Sequence, residues 1–154
     1  MTLRNAQTKL ETRTKLINDG KGQLLLTSYY KYDQKKHAGL IPTIQVNVRN
    51  NPTKTFEQFS AAMIQSTNDF KNYFSDFAFL KEPEIIEING FKAVYFIGTY
   101  TLTNTASGPM KVRSRTYALP NGAYFFQLNF TDEQGKEDDT QLFNELVKSI
   151  IISK

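Results

Sequence analysis

The sequence contains no cysteine, no tryptophan and a single histidine, His37. Without thiols there is no disulfide framework, no Cys-ligated zinc and no thiolate nucleophile. One imidazole, with no nucleophile-elbow motif to accompany it, leaves no recognisable hydrolase arrangement. His37 follows Lys35 and Lys36, which would repel a cation, so it reads as a surface-loop residue and not as a metal ligand. Long apolar runs are missing too: none approaches the roughly 20 residues a spanning helix requires. The start, Met1-Thr2-Leu3-Arg4-Asn5, lacks an apolar leader region. Gly20-Lys21-Gly22 is too short for a phosphate loop.

Positive charge is not concentrated anywhere. The formal net charge is +4, but Lys and Arg are scattered among Asp and Glu along the whole chain. That is not the basic stripe of a nucleic-acid binder. The acidic group Asp132, Glu133, Glu137, Asp138 and Asp139 lacks the spacing of an EF-hand loop and reads as a solvated, helix-capping turn. These absences lead us to expect no cofactor, no metal, no nucleic-acid partner and no transmembrane segment in this chain.

What is present is core-forming material. Apolar residues make up 40% of the 154 positions and aromatic residues 13%, too rich for a disordered segment and enough for one hydrophobic core. A domain of this length buries about two thirds of its unfolded surface without needing a metal or a disulfide. Leu3, Ala6, Leu10 and Ile17 share one face of an N-terminal amphipathic helix that ends near Asn18-Asp19-Gly20. The run Leu24–Tyr32 is β-prone, and Thr43–Arg49 alternates, sending Ile44, Val46 and Val48 to one face and Gln45, Asn47 and Arg49 to the other. Thr55-Phe56-Glu57-Gln58 has capping-box spacing, and Phe56, Phe59, Met63 and Phe70 follow at helical spacing as a core face. Asp138-Asp139-Thr140 opens a last helix whose apolar face is Leu142, Phe143, Leu146, Val147 and Ile150.

The second half reads as hairpins. Asn89-Gly90 is a strong two-residue turn signal and places Glu87 opposite Lys92. The strand from Phe91 is apolar on both faces, as an interior strand is. Pro120-Asn121-Gly122 suits a type I turn closed by a left-handed Gly bulge, which sets Leu119 opposite Ala123. Counting outward from that register puts Arg113, Arg115 and Tyr117 on one face with Phe125, Gln127 and Asn129, away from Phe126, Leu128 and Phe130. A one-residue slip would bury arginines against phenylalanines. Arg113, Arg115, Tyr117, Gln127 and Asn129, joined by Arg49 and Gln45 if their strand lies nearby, are therefore the candidate binding residues on a polar sheet face, of residue types enriched where proteins meet partners. The alternative is an ordinary wet face, or one covered by the N-terminal helix.

Three strings carry a family likeness: Leu40-Ile41-Pro42-Thr43-Ile44-Gln45-Val46-Asn47-Val48 before a helix, Ile88-Asn89-Gly90-Phe91-Lys92-Ala93 at a hairpin, and the aromatic strand before Leu142-Phe143. From about Leu24 to Ile152 the chain resembles the PsbP-like domains. That resemblance implies an α+β fold, an antiparallel β-sheet flanked by N-terminal, middle and C-terminal helices in an α/β/α sandwich. It implies a single domain over 1–154 and a shared fold with a Ran-binding nuclear import factor and with bacterial lipoproteins and secretion adaptors. Family members begin with a short hairpin carrying Pro and Trp; here Trp is absent and a helix comes first, so either the chain starts inside the domain or the first strands are replaced. No functional residue carries over, and fold alone does not transfer function.

The resulting expectation is a non-enzymatic protein-binding or adaptor domain of unknown partner. The rivals are an enzyme, such as a hydrolase using only Ser, Thr and carboxylates, and a chaperone-like adaptor for hydrophobic helices. A start part-way through the family pattern suggests a trimmed leader, hence the cell envelope or secretion, with the cytoplasm as the alternative.

Overall fold

The computed structural model describes residues 22–151. The chain runs β1 (Gln23–Tyr30), β2 (Thr43–Asn50), α1 (Phe56–Thr67), a one-turn α2 (Phe70–Tyr73), β3 (Ala78–Ile88), β4 (Phe91–Leu102), β5 (Met110–Asn121), β6 (Tyr124–Glu133) and α3 (Thr140–Lys148). The segment expected to form an N-terminal helix lies outside the described residues.

Local chemistry accounts for the element boundaries. At the start of α1 the Thr55 hydroxyl accepts the Gln58 N–H at 3.2 Å, and the Gln58 side chain accepts the Lys54 N–H at 3.0 Å. Gln58 thus reaches one residue further back than a capping box requires, and two free amides are satisfied. Asn89 (φ 48°) and Gly90 (φ 85°) supply the two positive dihedrals of a tight hairpin, with Glu87 opposite Lys92 as the sequence implies.

The strands form one six-stranded sheet in the order β1-β2-β6-β5-β4-β3, and every neighbouring pair is antiparallel. The fold is α+β, a sheet with helices packed on it. One face carries Tyr117, Leu119, Leu128, Phe130, Ile88 and Ala93 against Phe143 and Val147 of α3, with Leu146 and Ile150 packed alongside. Leu142, expected on that apolar face, is 38% exposed, because it sits one residue around the helix from Phe143. The other face packs Val94, Ala118 and Phe125 against Phe59, Phe56 and Met63 of α1. Each fully buried Phe, Leu or Val side chain in these layers contributes about 1.5–3 kcal/mol.

The β5–β6 hairpin departs from the expected register. Asn121 pairs with Tyr124, and Leu119 pairs with Phe126 and not with Ala123. The loop is therefore Gly122-Ala123, with Gly122 at φ 63° in the first central position, where a type II′ turn needs glycine. Leu119's partner moves by three positions along β6. An odd slip exchanges the faces of one strand relative to the other. Arg113, Arg115 and Tyr117 thus share the α3 side with Phe126, Leu128 and Phe130, while Gln127 and Asn129 stay on the α1 side. Burial of the arginines is possible because Asp132 lies on the same face, directly opposite Arg113.

Candidate functional site

The five candidate binding residues fall into two unrelated settings. Arg113, Arg115 and Tyr117 do not form an exposed surface: Arg115 is 1% and Tyr117 4% exposed. The two guanidiniums anchor the N-terminus of α3. Arg113 grips the Asp132 carboxylate with Nε at 2.9 Å and Nη2 at 2.6 Å, and Arg115 Nη1 reaches the same carboxylate at 3.3 Å. Both arginines also approach Asp138, and Arg115 donates to the Thr140 hydroxyl. The Arg115 guanidinium lies 5.2 Å from the centroid of the Phe143 ring. Tyr117 stacks on Tyr95 at 4.5 Å, and burial pushes its pKa up. Lys31 completes the anchorage with 2.7 Å contacts to both Asp139 and Glu137.

The far end of α3 is pinned as well, since the Asn89 side-chain amide donates to the carbonyls of Lys148 at 3.1 Å and Ile150 at 2.7 Å. Asn89→Gly keeps the turn geometry but removes both bonds. The expected loss is about 0.5–1.5 kcal/mol by urea denaturation, with faster amide exchange confined to the last turn of α3.

The anchorage is pH-sensitive with a definite sign. Hydrogen bonds from Thr140, then the nearby Arg113 and Arg115 charges, hold the Asp138 carboxyl below the usual range. A carboxyl with a depressed folded-state pKa contributes stability above its unfolded value of about 3.9, and that stability is lost as the pH falls through the folded value. Lys31 behaves oppositely. Asp139 and Glu137 raise its pKa, so its contribution is complete below the unfolded value of about 10.4 and fades as the pH rises through the folded one. Hydrogen exchange at the Thr140 amide, which donates to Asp138 Oδ1 at 2.9 Å, should lose protection on acidification in the wild type. In Asp138→Ala it should already be unprotected at neutral pH.

Gln127 and Asn129 lie on the opposite face, where α1 covers only the end of the sheet around Val94, Ala118 and Phe125. Beyond that end a concavity of about 170 Å³ opens. Its floor is polar, formed by Gln45, Ser114, Thr116, Gln127, Asn129 and Thr131, and its wall is aromatic, formed by Phe70, Phe74, Phe77, Phe96 and Tyr100. The depression exists because two small residues, Gly98 and Ser114, are register partners across β4 and β5. Phe70, expected in the core with the rest of its helical face, stands instead on this wall, 5.3 Å from Phe77 and 5.9 Å from Phe96.

The wall and floor are held in place. Phe74 stacks on Tyr100 at 4.1 Å. Asp76 clamps the loop before β3 by accepting the Thr101 N–H at 3.0 Å and the Thr101 hydroxyl at 2.5 Å, and these bonds lower its pKa. On the floor, Arg49 donates to Gln127 Oε1 at 3.1 Å. Asn129 Oδ1 accepts from Gln127 Nε2 at 3.2 Å and from the Thr116 hydroxyl at 3.1 Å, which fixes the plane of its amide. A Cβ on Gly98 would come within 2.6 Å of the Phe77 ring. Gly98→Ala should displace that ring and destabilise the fold by about 1–3 kcal/mol, readable in a urea titration.

Tyr100 is the titratable group lining the concavity, and burial raises its pKa. At neutral pH the site offers hydrogen-bonding amides and hydroxyls beside aromatic faces. No group of three or more metal-ligating side chains occurs among the described residues. His37 stacks on Tyr32 at 4.7 Å in an exposed loop and does not line the site. No described helix is long and apolar enough to cross a membrane.

Membership of Gln45, Gln127 and Asn129 in a polar sheet face was readable from strand alternation. The aromatic wall was not, because a row of phenylalanines carries the same signal whether it fills a core or borders a cleft.

No protein-family profile and no curated protein sequence matches this chain. Among solved structures it is similar to PA94 from Pseudomonas aeruginosa, a protein of unknown function, with a TM-score of 0.62 at 10% identity over 86% of this chain and 85% of that one. It is also similar to LpqN of Mycobacterium tuberculosis, involved in cell envelope biogenesis, with a TM-score of 0.44 at 15% identity over 80% of this chain and 72% of that one. The likeness to PA94 is one of fold.

Proposed function

We propose that this chain is a non-enzymatic protein-binding domain that takes one side chain of its partner into the aromatic-walled concavity on the α1 side of the sheet. The observation that carries this reading is the pairing of size with lining. At about 170 Å³ the space matches a benzene-sized group, as in engineered apolar cavities of about 150 Å³. It falls below the roughly 300–1,000 Å³ typical of cofactor and small-molecule pockets. An apolar helix, about 10–12 Å across, is too thick for it, which favours an extended partner over a helix-capturing chaperone. The ring of the incoming side chain would meet Phe70, Phe77 and Phe96, and a polar tip would meet Thr116 and Asn129.

The lining also supports the non-enzymatic half of the proposal, since a half-buried Tyr100 with a raised pKa gives no acid or base matched to neutral pH. The likeness to PsbP-like domains belongs to the same proposal, supported by the antiparallel sheet with helices on both faces. So does an envelope location, which fractionation of cells carrying the full gene would test.

Panning a random peptide library on the wild type, with counter-selection on Ser114→Phe, tests the reading. Ser114→Phe fills the depression from its floor. Selected peptides should share one aromatic anchor and lose binding to the filled variant. Robust turnover in a broad substrate screen, abolished by substitution of one floor hydroxyl, would replace the proposal with the enzymatic rival.

A further inference from the structure

The two outer edges of the sheet are built differently. β3 is guarded: Pro83 interrupts it, its pairing shifts between Phe79 and Lys81 and again between Lys81 and Glu84, and Lys81, Glu82 and Glu84 put charge along it. Proline, irregularity and edge charge are the devices by which sheets avoid pairing with other chains. β1 has almost none of them. Its sequence, Gln-Leu-Leu-Leu-Thr-Ser-Tyr-Tyr, contains neither charge nor proline. Leu25, Leu26, Tyr29 and Tyr30 are 51%, 49%, 64% and 47% exposed. Among the described residues β1 pairs with β2 alone.

We infer that β1 is the interface of a two-fold homodimer, in which the β1 strands of two copies pair antiparallel and extend the sheet across the axis. This goes beyond the proposed binding function and does not depend on it. Three observations favour a second copy as the occupant. First, an uncharged strand meets no like charge when it pairs with itself. The nearest described cation, Lys31, is already held by Asp139 and Glu137 at 2.7 Å each.

Second, the faces agree. The irregularity between Leu25 and Thr27 leaves Leu24 and Tyr29 on the α3 side, opposite Val48 and Ile44, and Leu25 and Ser28 on the concave side, opposite Asn47 and Gln45. A two-fold register that sets Leu24 against the partner's Tyr29 also sets Leu25 against the partner's Ser28. The Leu24–Tyr29 pairs then lie on the α3 side and the Leu25–Ser28 pairs on the concave side of the joined sheet, so two aliphatic–aromatic cross-strand pairs form. Third, the assembly closes. Pairing through β1 leaves the guarded β3 strands outermost, so it stops at two copies instead of growing into a fibre.

Sedimentation of the full chain across the micromolar range tests this. The wild type should run as a dimer. Leu25→Lys with Tyr29→Lys should run as a monomer with an unchanged far-ultraviolet spectrum, its dissociation constant raised at least tenfold. A second variant covers the case in which the lysines disturb folding. Leu24→Cys with Tyr29→Cys, in a chain that otherwise lacks cysteine, should oxidise to a disulfide-linked dimer. A wild type that stays monomeric, a folded lysine variant that stays dimeric, or a cysteine variant that forms no intermolecular bond would each overturn the inference.

Discussion

Replacing Asp132 with alanine is expected to cost about 3–5 kcal/mol of folding free energy, the range found when one partner of a buried charge pair is removed. Asp132 is fully buried and its carboxylate receives both Arg113 and Arg115. Without it, Arg115 stays 1% exposed with only the 3.5 Å approach of Asp138 to balance its charge, and its Nε already has no partner. Such a loss is a large share of a domain stability of about 5–15 kcal/mol. Urea denaturation should show the fall in midpoint. The same deletion with Arg113→Met and Arg115→Met should recover much of it, because removing the whole charged set leaves nothing stranded.

Phe143→Ala is the second large effect, also about 3–5 kcal/mol, from lost burial plus the cavity left behind. Phe143 is 1% exposed, packs edge-on against Phe130 at 5.2 Å and supports the Arg115 guanidinium at 5.2 Å. Both substituted residues contact Arg115, so the double variant should depart from additivity by about 0.5–3 kcal/mol. Calorimetry on the two single variants and the double variant gives that coupling directly.

Where the sequence was legible, a local rule decided the outcome. Asn89-Gly90 has few alternatives to a tight hairpin, and the alternation from Thr43 to Arg49 fixes which face of β2 is buried. The Pro120-Asn121-Gly122 string was ambiguous because Gly122 can close a three-residue loop or open a two-residue one, and both need positive φ there. That choice decides the faces of Arg113, Arg115 and Tyr117. The objection to burying arginine was sound for an unpaired charge. It failed because Asp132, read only as part of an acidic helix cap, lies directly opposite Arg113. The concavity was illegible for another reason: it depends on Gly98 and Ser114 meeting across two strands and on Phe77 filling the space a Cβ would take. Neither is a property of one segment.

In the proposed function the α1 side of the sheet binds and the α3 side is scaffold. The most direct measurement is amide chemical-shift mapping by NMR with N-acetyl-tyrosinamide, which carries one aromatic ring and amides that can meet the floor. Saturable shifts are expected at Phe77, Gly98, Tyr100, Ser114 and Asn129, with none at Arg115, Asp132 or Phe143, and they should vanish in Ser114→Phe. Shifts centred on the α3 side, or none that saturate, would rule out binding at the concavity.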